Sequence, residues 1–237
     1  MTSLGKNARV AGILYLLASI VGIVRLIYIP NALFVPGNAA ATAGNIAAHE
    51  MLFRFGIFSE LFAAALWIFV PLALYRLFNG VNQGLAVVMV ILGSLMQVPI
   101  FFMNAVNDAA ALLFAHGGDF LTAFDKPQRD ALAMLFLRLH HHGDLANEIF
   151  WGIWLLPFGL LVYRSRFLPR LLGVWLIIAC FGYLALSFTG LLFPQWENKV
   201  FGFAQPTMLG EVVVMLWLII VGAKEQGLDA AEPLPGS

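Results

Sequence analysis

Polar side chains gather in residues 139–150, LHHHGDLANEIF, directly before the apolar run WGIWLLPFGLLVY. Imidazole and carboxylate groups are the usual general acids and bases of enzymes and ordinary ligands for zinc or manganese. If this stretch is helical, four of its polar residues fall within about 100° of arc, with His141 at the edge. These four are His140, Asp144, Asn147 and Glu148.

One interpretation of this stretch is a divalent-metal site whose ligands are His140, His141, Asp144 and Glu148. The alternative is a solvated histidine run at the membrane boundary. Neither an H-E-x-x-H nor a C-x-x-C spacing supports the metal site, and no nucleophile elbow, phosphate loop or dinucleotide fingerprint is present. The expectation of bound zinc or manganese therefore rests on ligand type alone.

Further polar residues interrupt other apolar runs, and they include Glu211, which we place near the middle of its run. A charge at the bilayer centre costs about 2.5–3.5 kcal/mol on insertion scales, so such groups usually face the bundle interior or a wet cavity. When depth is counted along each apolar run, the other polar residues lie toward the outer end of their runs. The sequence thus predicts one polar pocket lined by Arg25, Arg54, Glu60, Gln97, Asn104, Asp108, Asn147, Glu148 and Glu211.

Composition indicates a membrane protein. The 237 residues are 61% hydrophobic and 11% charged, with a mean hydropathy of +0.88, and a soluble domain of this length needs many more charges on its surface. The net charge of zero gives no overall basic field for nucleic acid. Cys180, the single cysteine, cannot form an intramolecular disulfide.

Six apolar runs are long enough to cross a hydrocarbon core of ~30 Å as helices. Because lipid-exposed backbone must satisfy its own hydrogen bonds, we expect an all-α six-helix bundle. It forms one transmembrane domain over residues 1–224, followed by a disordered cytoplasmic tail over 225–237. The predicted spans are about Arg9–Ile29 ending at Pro30, Phe53–Phe78, Gly84–Phe114, a fourth ending near Tyr163, Leu168–Phe193 and Phe203–Val221.

The fourth run is too long for one span. Residues 131–163 would form about 50 Å of helix, so it either projects from the membrane or breaks, and Gly143 is the natural break. Asp125, Pro127 and Gln128 are typical of a helix start. We therefore expect 126–142 as a separate outer helix, and a second short outer helix over 39–50.

The topology follows from Lys and Arg in the short loops. The first apolar run is longer than the ~7–15 residues of a signal-peptide core, so we interpret it as a retained helix. With the N-terminus inside, the inner segments hold seven Lys and Arg residues and the outer loops three. This predicts cytoplasmic N- and C-termini. The inner seven are Lys6, Arg9, Arg76, Arg164, Arg166, Arg170 and Lys224; the outer three are Lys126, Arg129 and Lys199.

Three blocks of the sequence resemble a bacterial multi-pass membrane family known only as domain of unknown function 4386. They are LFRFGIFSELFAAALWIFVPLALYRLF (52–78), FWGIWLLPFGLLVYRSRFLPRLLGVWL (150–176) and LGEVVVMLWLIIVG (209–222). The resemblance implies a six-helix protein of the bacterial inner membrane. It places Arg54, Glu148 and Glu211 in or beside the family's blocks, and it implies no activity or catalytic residue.

Three functions remain open on the sequence. The first is a binding protein whose pocket opens outward in the outer leaflet and holds a small or lipid-like ligand. The second is a membrane-embedded metal-dependent hydrolase or isomerase, and the third is a structural or partner subunit. Membrane lipid is the expected partner in each case, while the ligand, any cofactor and the oligomeric state stay unknown.

Overall fold

The computed structural model describes residues 3–223, and within them the protein is helical with no strand. Six helices are long and apolar enough to cross a membrane, which confirms the predicted all-α multi-pass fold. The predicted tail over 225–237 lies outside the described residues. The spanning helices are α1 Ser3–Leu33, α3 Glu50–Phe78, α4 Gln83–His116, α5 Lys126–Arg164, α6 Arg170–Leu192 and α7 Glu197–Ile220, and the short helix α2 is Ala39–Ala48.

Side-chain caps start three helices where the sequence supplies an acceptor. Asp125 accepts a hydrogen bond from the backbone N–H of Gln128, and the Gln128 side chain accepts one from the Asp125 N–H. This is the predicted capping box of α5. Asn38 and Asn82 cap α2 and α4 in the same way, each accepting from a backbone N–H three residues on.

The expected break at Gly143 is wrong. Helix α5 runs unbroken from Lys126 to Ile153, and only at Trp154 does it change to the next helical segment, Leu155–Arg164. Glycine serves close packing here instead, because a Cβ at Gly143 would collide with the side-chain amide of Asn104. Residues 126–142 are therefore the first part of one long helix and not a separate one.

The first span does not end at Pro30 as expected, since α1 continues to Leu33. Before the proline, residues Val24–Tyr28 form a wide π-helical turn. A π turn relaxes the regular backbone bonding that a proline would otherwise disrupt. A second π-helical turn, Ile91–Leu95, precedes Pro99 in α4.

The six spanning helices form a closed ring, in which each packs against the next along the chain and α7 packs against α1. We call one end of the ring the terminal end; it carries Ser3 and the connections 79–82 and 165–169. The opposite end, which carries residues 34–49 and 117–125, is the loop end. Helix α2 packs on α4 and α5 at the loop end.

Two hydrophobic clusters stabilise the bundle, one toward each end. The larger, toward the terminal end, includes Leu74, Phe158 and Leu218. The smaller, at the loop end, includes Ile29 and Phe53. Along α1 and α3, the side chains between the two clusters include Arg25 and Glu60, so the polar residues occupy a layer between the apolar cores.

Glycines allow the closest helix crossings. A Cβ at Gly173 of α6 would lie 2.6 Å from the Gly159 carbonyl oxygen and 2.7 Å from the Tyr163 amide nitrogen of α5. Backbone atoms cannot move aside as a flexible side chain can, so only glycine fits.

We expect Gly173→Ala to lower the free energy of unfolding by about 1–3 kcal/mol, because the added methyl overpacks two backbones. Thermal unfolding in detergent measures the effect. Gly202→Ala is the matched control, since no heavy atom beyond the adjacent residues and backbone of its own helix lies within 4 Å of the Cβ it would add. Equal stability of the two variants would contradict the tight crossing.

Candidate functional site

A buried ion pair joins the first and third spanning helices. Arg25, in the π-helical turn of α1, binds both carboxylate oxygens of Asp108 on α4, with Nη2 donating to Oδ1 at 2.7 Å and Nε to Oδ2. The Arg25 guanidinium also lies 5.6 Å from the ring centre of Phe34. Both charged side chains are at most 5% exposed, so each neutralises a charge that the apolar interior could not otherwise hold.

His140 extends this pair into a network. Its Nδ1 lies 3.0 Å from Asp108 Oδ1, and its Nε2 lies 3.3 Å from Asp144 Oδ2 and 3.8 Å from Glu60 Oε1. The Asn104 side-chain amide donates to the other oxygen of Asp144 at 2.8 Å. Helices α1, α3, α4 and α5 thus each contribute a charged group to one buried cluster.

The structure does not bring the four predicted metal ligands together. His141 is half exposed, with Nε2 3.3 Å from Glu197 Oε1, because consecutive residues on a helix point about 100° apart. The group within residues 3–223 whose ligand atoms all lie within 4.8 Å of one another is instead Glu60, Asp108 and His140. Of the predicted ligands, it includes only His140.

A cavity of about 490 Å³ adjoins the network, and all six spanning helices line it. Arg25, Glu60, His140 and Asp144 lie on its wall. Asp108 and Asn104 stand directly behind these residues and orient them through the contacts above.

Glu211, the deepest acid in the sequence analysis, also lines the cavity. The Tyr15 hydroxyl of α1 donates a hydrogen bond to Glu211 Oε2. The Tyr183 side chain of α6 is a second hydrogen-bonding partner of this carboxylate. A buried carboxylate needs such donors to offset its lost hydration, and the structure supplies them from two other helices.

Aromatic rings form much of the remaining wall. Tyr15 and Trp67 meet at 81° with ring centres 5.3 Å apart, and Trp67 meets Trp154 at 71° and 5.6 Å. These rings pack edge to face against one another, and all three line the cavity. The aromatic side chains lining the cavity are Tyr15, Trp67, Phe101, Trp151, Trp154 and Tyr183.

Several residues of the predicted pocket lie elsewhere. Arg54 has a side chain 56% exposed, and its Nε donates to Glu50 Oε1 at 2.6 Å. Gln97 is buried and donates to the Phe150 carbonyl at 3.2 Å, so it joins α4 to α5. Asn147 is fully buried and Glu148 partly buried, and neither lines the cavity.

The aromatic wall is not among the predicted site residues. Tryptophans in a membrane protein are typical of packing and interfacial belts, whereas the structure places Trp151 and Trp154 at the cavity. The sequence offered one signal in Tyr15, a residue with a polar tip inside an apolar stretch of α1. Its partner Glu211 lies 196 residues later, and no spacing rule relates positions that far apart.

Comparison with known protein families shows which family the chain belongs to. The family described as "Domain of unknown function (DUF4386)" matches residues 10–222, nearly the whole chain. The protein belongs to the DUF4386 family. This DUF4386 member is 37% identical over 79 residues to an uncharacterized protein of Archaeoglobus fulgidus, a match that covers 32% of this chain and 44% of the relative. The chain therefore matches less than half the length of that relative. No solved structure matches the DUF4386 chain.

We expect Asp108→Ala to lower the free energy of unfolding by about 3–5 kcal/mol, because it leaves the Arg25 guanidinium buried without its carboxylate. Denaturation in detergent micelles measures the loss. Glu50→Ala, which removes the partner of the exposed Arg54, serves as the control and should change stability far less.

A double variant checks the cause. Replacing Arg25 by Leu in the Asp108→Ala background removes the unpaired charge and should recover part of the lost stability. Additive losses from the two substitutions would contradict a coupled pair.

Proposed function

We propose that this membrane protein binds a lipid-like amphiphile in the 490 Å³ cavity. The observation that carries the proposal is the contrast within the cavity lining. Charged side chains lie deep in the cavity, while apolar side chains that are exposed on the bundle surface lie at its edge. An amphiphile presents the same contrast between its headgroup and its chain.

The apolar edge lies between α1 and α7. Ile20, Ile23, Leu209 and Val212 line the cavity and are each 43–54% exposed on the bundle surface. In a bilayer such side chains face acyl chains. A ligand entering here would come from the membrane and not from water.

Helix packing supports an opening at this place. Near the terminal end, α1 and α7 are in close contact, since a Cβ at Gly12 would lie 2.8 Å from Ile219 Cγ1. Further along the same two helices, beyond the contact of Tyr15 with Glu211, the cavity lining includes Ile20 and Ile23 of α1 and Gln205 and Leu209 of α7. The helices therefore close the terminal end and part toward the loop end.

The size of the cavity fits a ligand of this kind. Small-molecule sites commonly measure about 300–1,000 Å³, with few polar groups in a mainly apolar lining. A volume of 490 Å³ accommodates a headgroup and the first part of a chain, and the rest of the chain would remain in the bilayer.

We place the protein in the bacterial inner membrane with both termini in the cytoplasm, as the excess of Lys and Arg on the terminal end supports. The loop end then lies on the outer side, and the cavity opens within the outer leaflet.

Single cysteines test this orientation. On intact cells, a membrane-impermeant maleimide should label Asp119→Cys at the loop end and should leave Asn79→Cys unlabelled until the cells are opened. Cys180 is buried and makes little background. The reverse pattern would invert the topology.

Filling the cavity should remove its ligand. We expect an amphiphile to co-purify with the wild-type protein and to be lost from Ala63→Trp, because Ala63 lines the cavity. Native mass spectrometry of detergent-purified protein measures the bound mass. Ala65→Trp is the matched control, since it adds the same side chain to an exposed position of the same helix. Equal retention by both variants would count against the proposal.

The alternative is a metal-dependent hydrolase or isomerase, and the grouping of Glu60, Asp108 and His140 favours it. The bidentate contact of Arg25 with Asp108 weighs against it, because the guanidinium already occupies both carboxylate oxygens.

Elemental analysis of untagged protein decides between the two. Stoichiometric zinc or manganese that is lost in Glu60→Gln would promote the enzyme. Protein that contains no transition metal after purification without chelators would favour the amphiphile site over the metal enzyme.

A further inference from the structure

The charges around the cavity do not balance. Of the lining residues, Arg25 and His140 are basic, and each already contacts an acid, Asp108 and Asp144 respectively. The other arginines that the sequence places near this level, Arg54 and Arg138, are exposed. The acids that remain on the wall are Glu60 and Glu211.

Among the described residues, neither remaining acid has a basic side chain of its own. Glu60 Oε1 lies 3.8 Å from His140, and Glu60 Oε2 is buried with no hydrogen-bond partner among the described residues. Glu211 is bound by the hydroxyls of Tyr15 and Tyr183, which are donors without positive charge. A bound anion would face both carboxylates, whereas a bound cation would supply the missing charge.

The rings beside Glu211 select the kind of cation. Tyr15, Trp67 and Trp154 all line the cavity, and their rings lie at 60–81° to one another. Aromatic walls of this kind attract alkylated ammonium groups through the negative faces of the rings. An inorganic cation is strongly hydrated and would need oxygen ligands that rings do not provide.

We propose that the ligand is a cationic amphiphile whose alkylated ammonium group binds between the aromatic wall and Glu211, with its chain leaving between α1 and α7. This names the ligand class of the proposed amphiphile site and rests on that proposal. The Arg25–Asp108–His140 network closes the far side of the cavity, and Glu60 adds a second negative charge there.

Competition among three probes of equal chain length tests the inference. Detergent-purified protein is mixed with equimolar decyltrimethylammonium, decyl sulfate and 1-decylglycerol, and native mass spectrometry counts the adducts of each. The wild type should carry the ammonium probe in excess. Because all probes partition into the same micelles for every variant, differences between variants report the cavity.

Two variants remove the two parts of the ammonium site. Glu211→Gln keeps the shape of the side chain without its charge, and Trp67→Leu removes one aromatic wall. Each should reduce the ammonium adduct about tenfold and leave the 1-decylglycerol adduct unchanged. Trp196→Leu, at an exposed tryptophan outside the cavity, should change neither. Thermal unfolding checks that each variant is folded. If one variant does not fold, the adduct ratio of the other variant tests the inference.

The outcomes separate this inference from the proposed function. If the sulfate or the glycerol ether dominates in the wild type and Ala63→Trp removes it, the ammonium site is overturned and the amphiphile cavity stands. If no probe binds in a manner sensitive to Ala63→Trp, both proposals fail. An ammonium adduct that is unchanged in Glu211→Gln and Trp67→Leu also overturns the inference.

Discussion

An ionised group inside an apolar bundle must be paired, and the pair formed by Arg25 and Asp108 is where this constraint acts most strongly. Both side chains are almost completely buried, and each would be costly without the other. The pair fixes α1 against α4, two helices that are not neighbours in the ring. His140 contacts Asp108 and Asp144, and Asn104 donates a hydrogen bond to Asp144. The geometry of the polar layer thus follows from one ion pair.

The polar layer also explains why the bundle contains a cavity. Toward the terminal end, glycine-mediated crossings and a large apolar cluster fill the interior. At the loop end, a second cluster does the same. Between them, charged side chains cannot interdigitate as leucines do, because they must keep their hydrogen bonds. Tyr15 and Glu211 mark the place where apolar packing stops, and the open space begins beside them.

The helices could be predicted well because each depends on local sequence, through the length of an apolar run or a cap such as Asp125. The phase of α5 correctly placed His140 and Asp144 on one face. The choice of partner could not be predicted in this way. Arg25 and Arg54 are equivalent by type and position, yet packing buries the first and leaves the second exposed on its own helix. Gly143 was predicted to break α5, whereas the helix is continuous there. A glycine is required at this position because the side chain of Asn104 leaves no room for a Cβ.

Ring closure has a consequence for biosynthesis. The contact between Tyr15 and Glu211 joins residues 196 positions apart. At a synthesis rate of about 5–20 residues per second, the first helix waits roughly 10–40 s before the last one emerges. During that time α1 is in the membrane with one flank facing lipid, and the Tyr15 hydroxyl lacks its carboxylate. The ribosome must therefore finish nearly the entire chain before the insertion machinery can release a closed bundle.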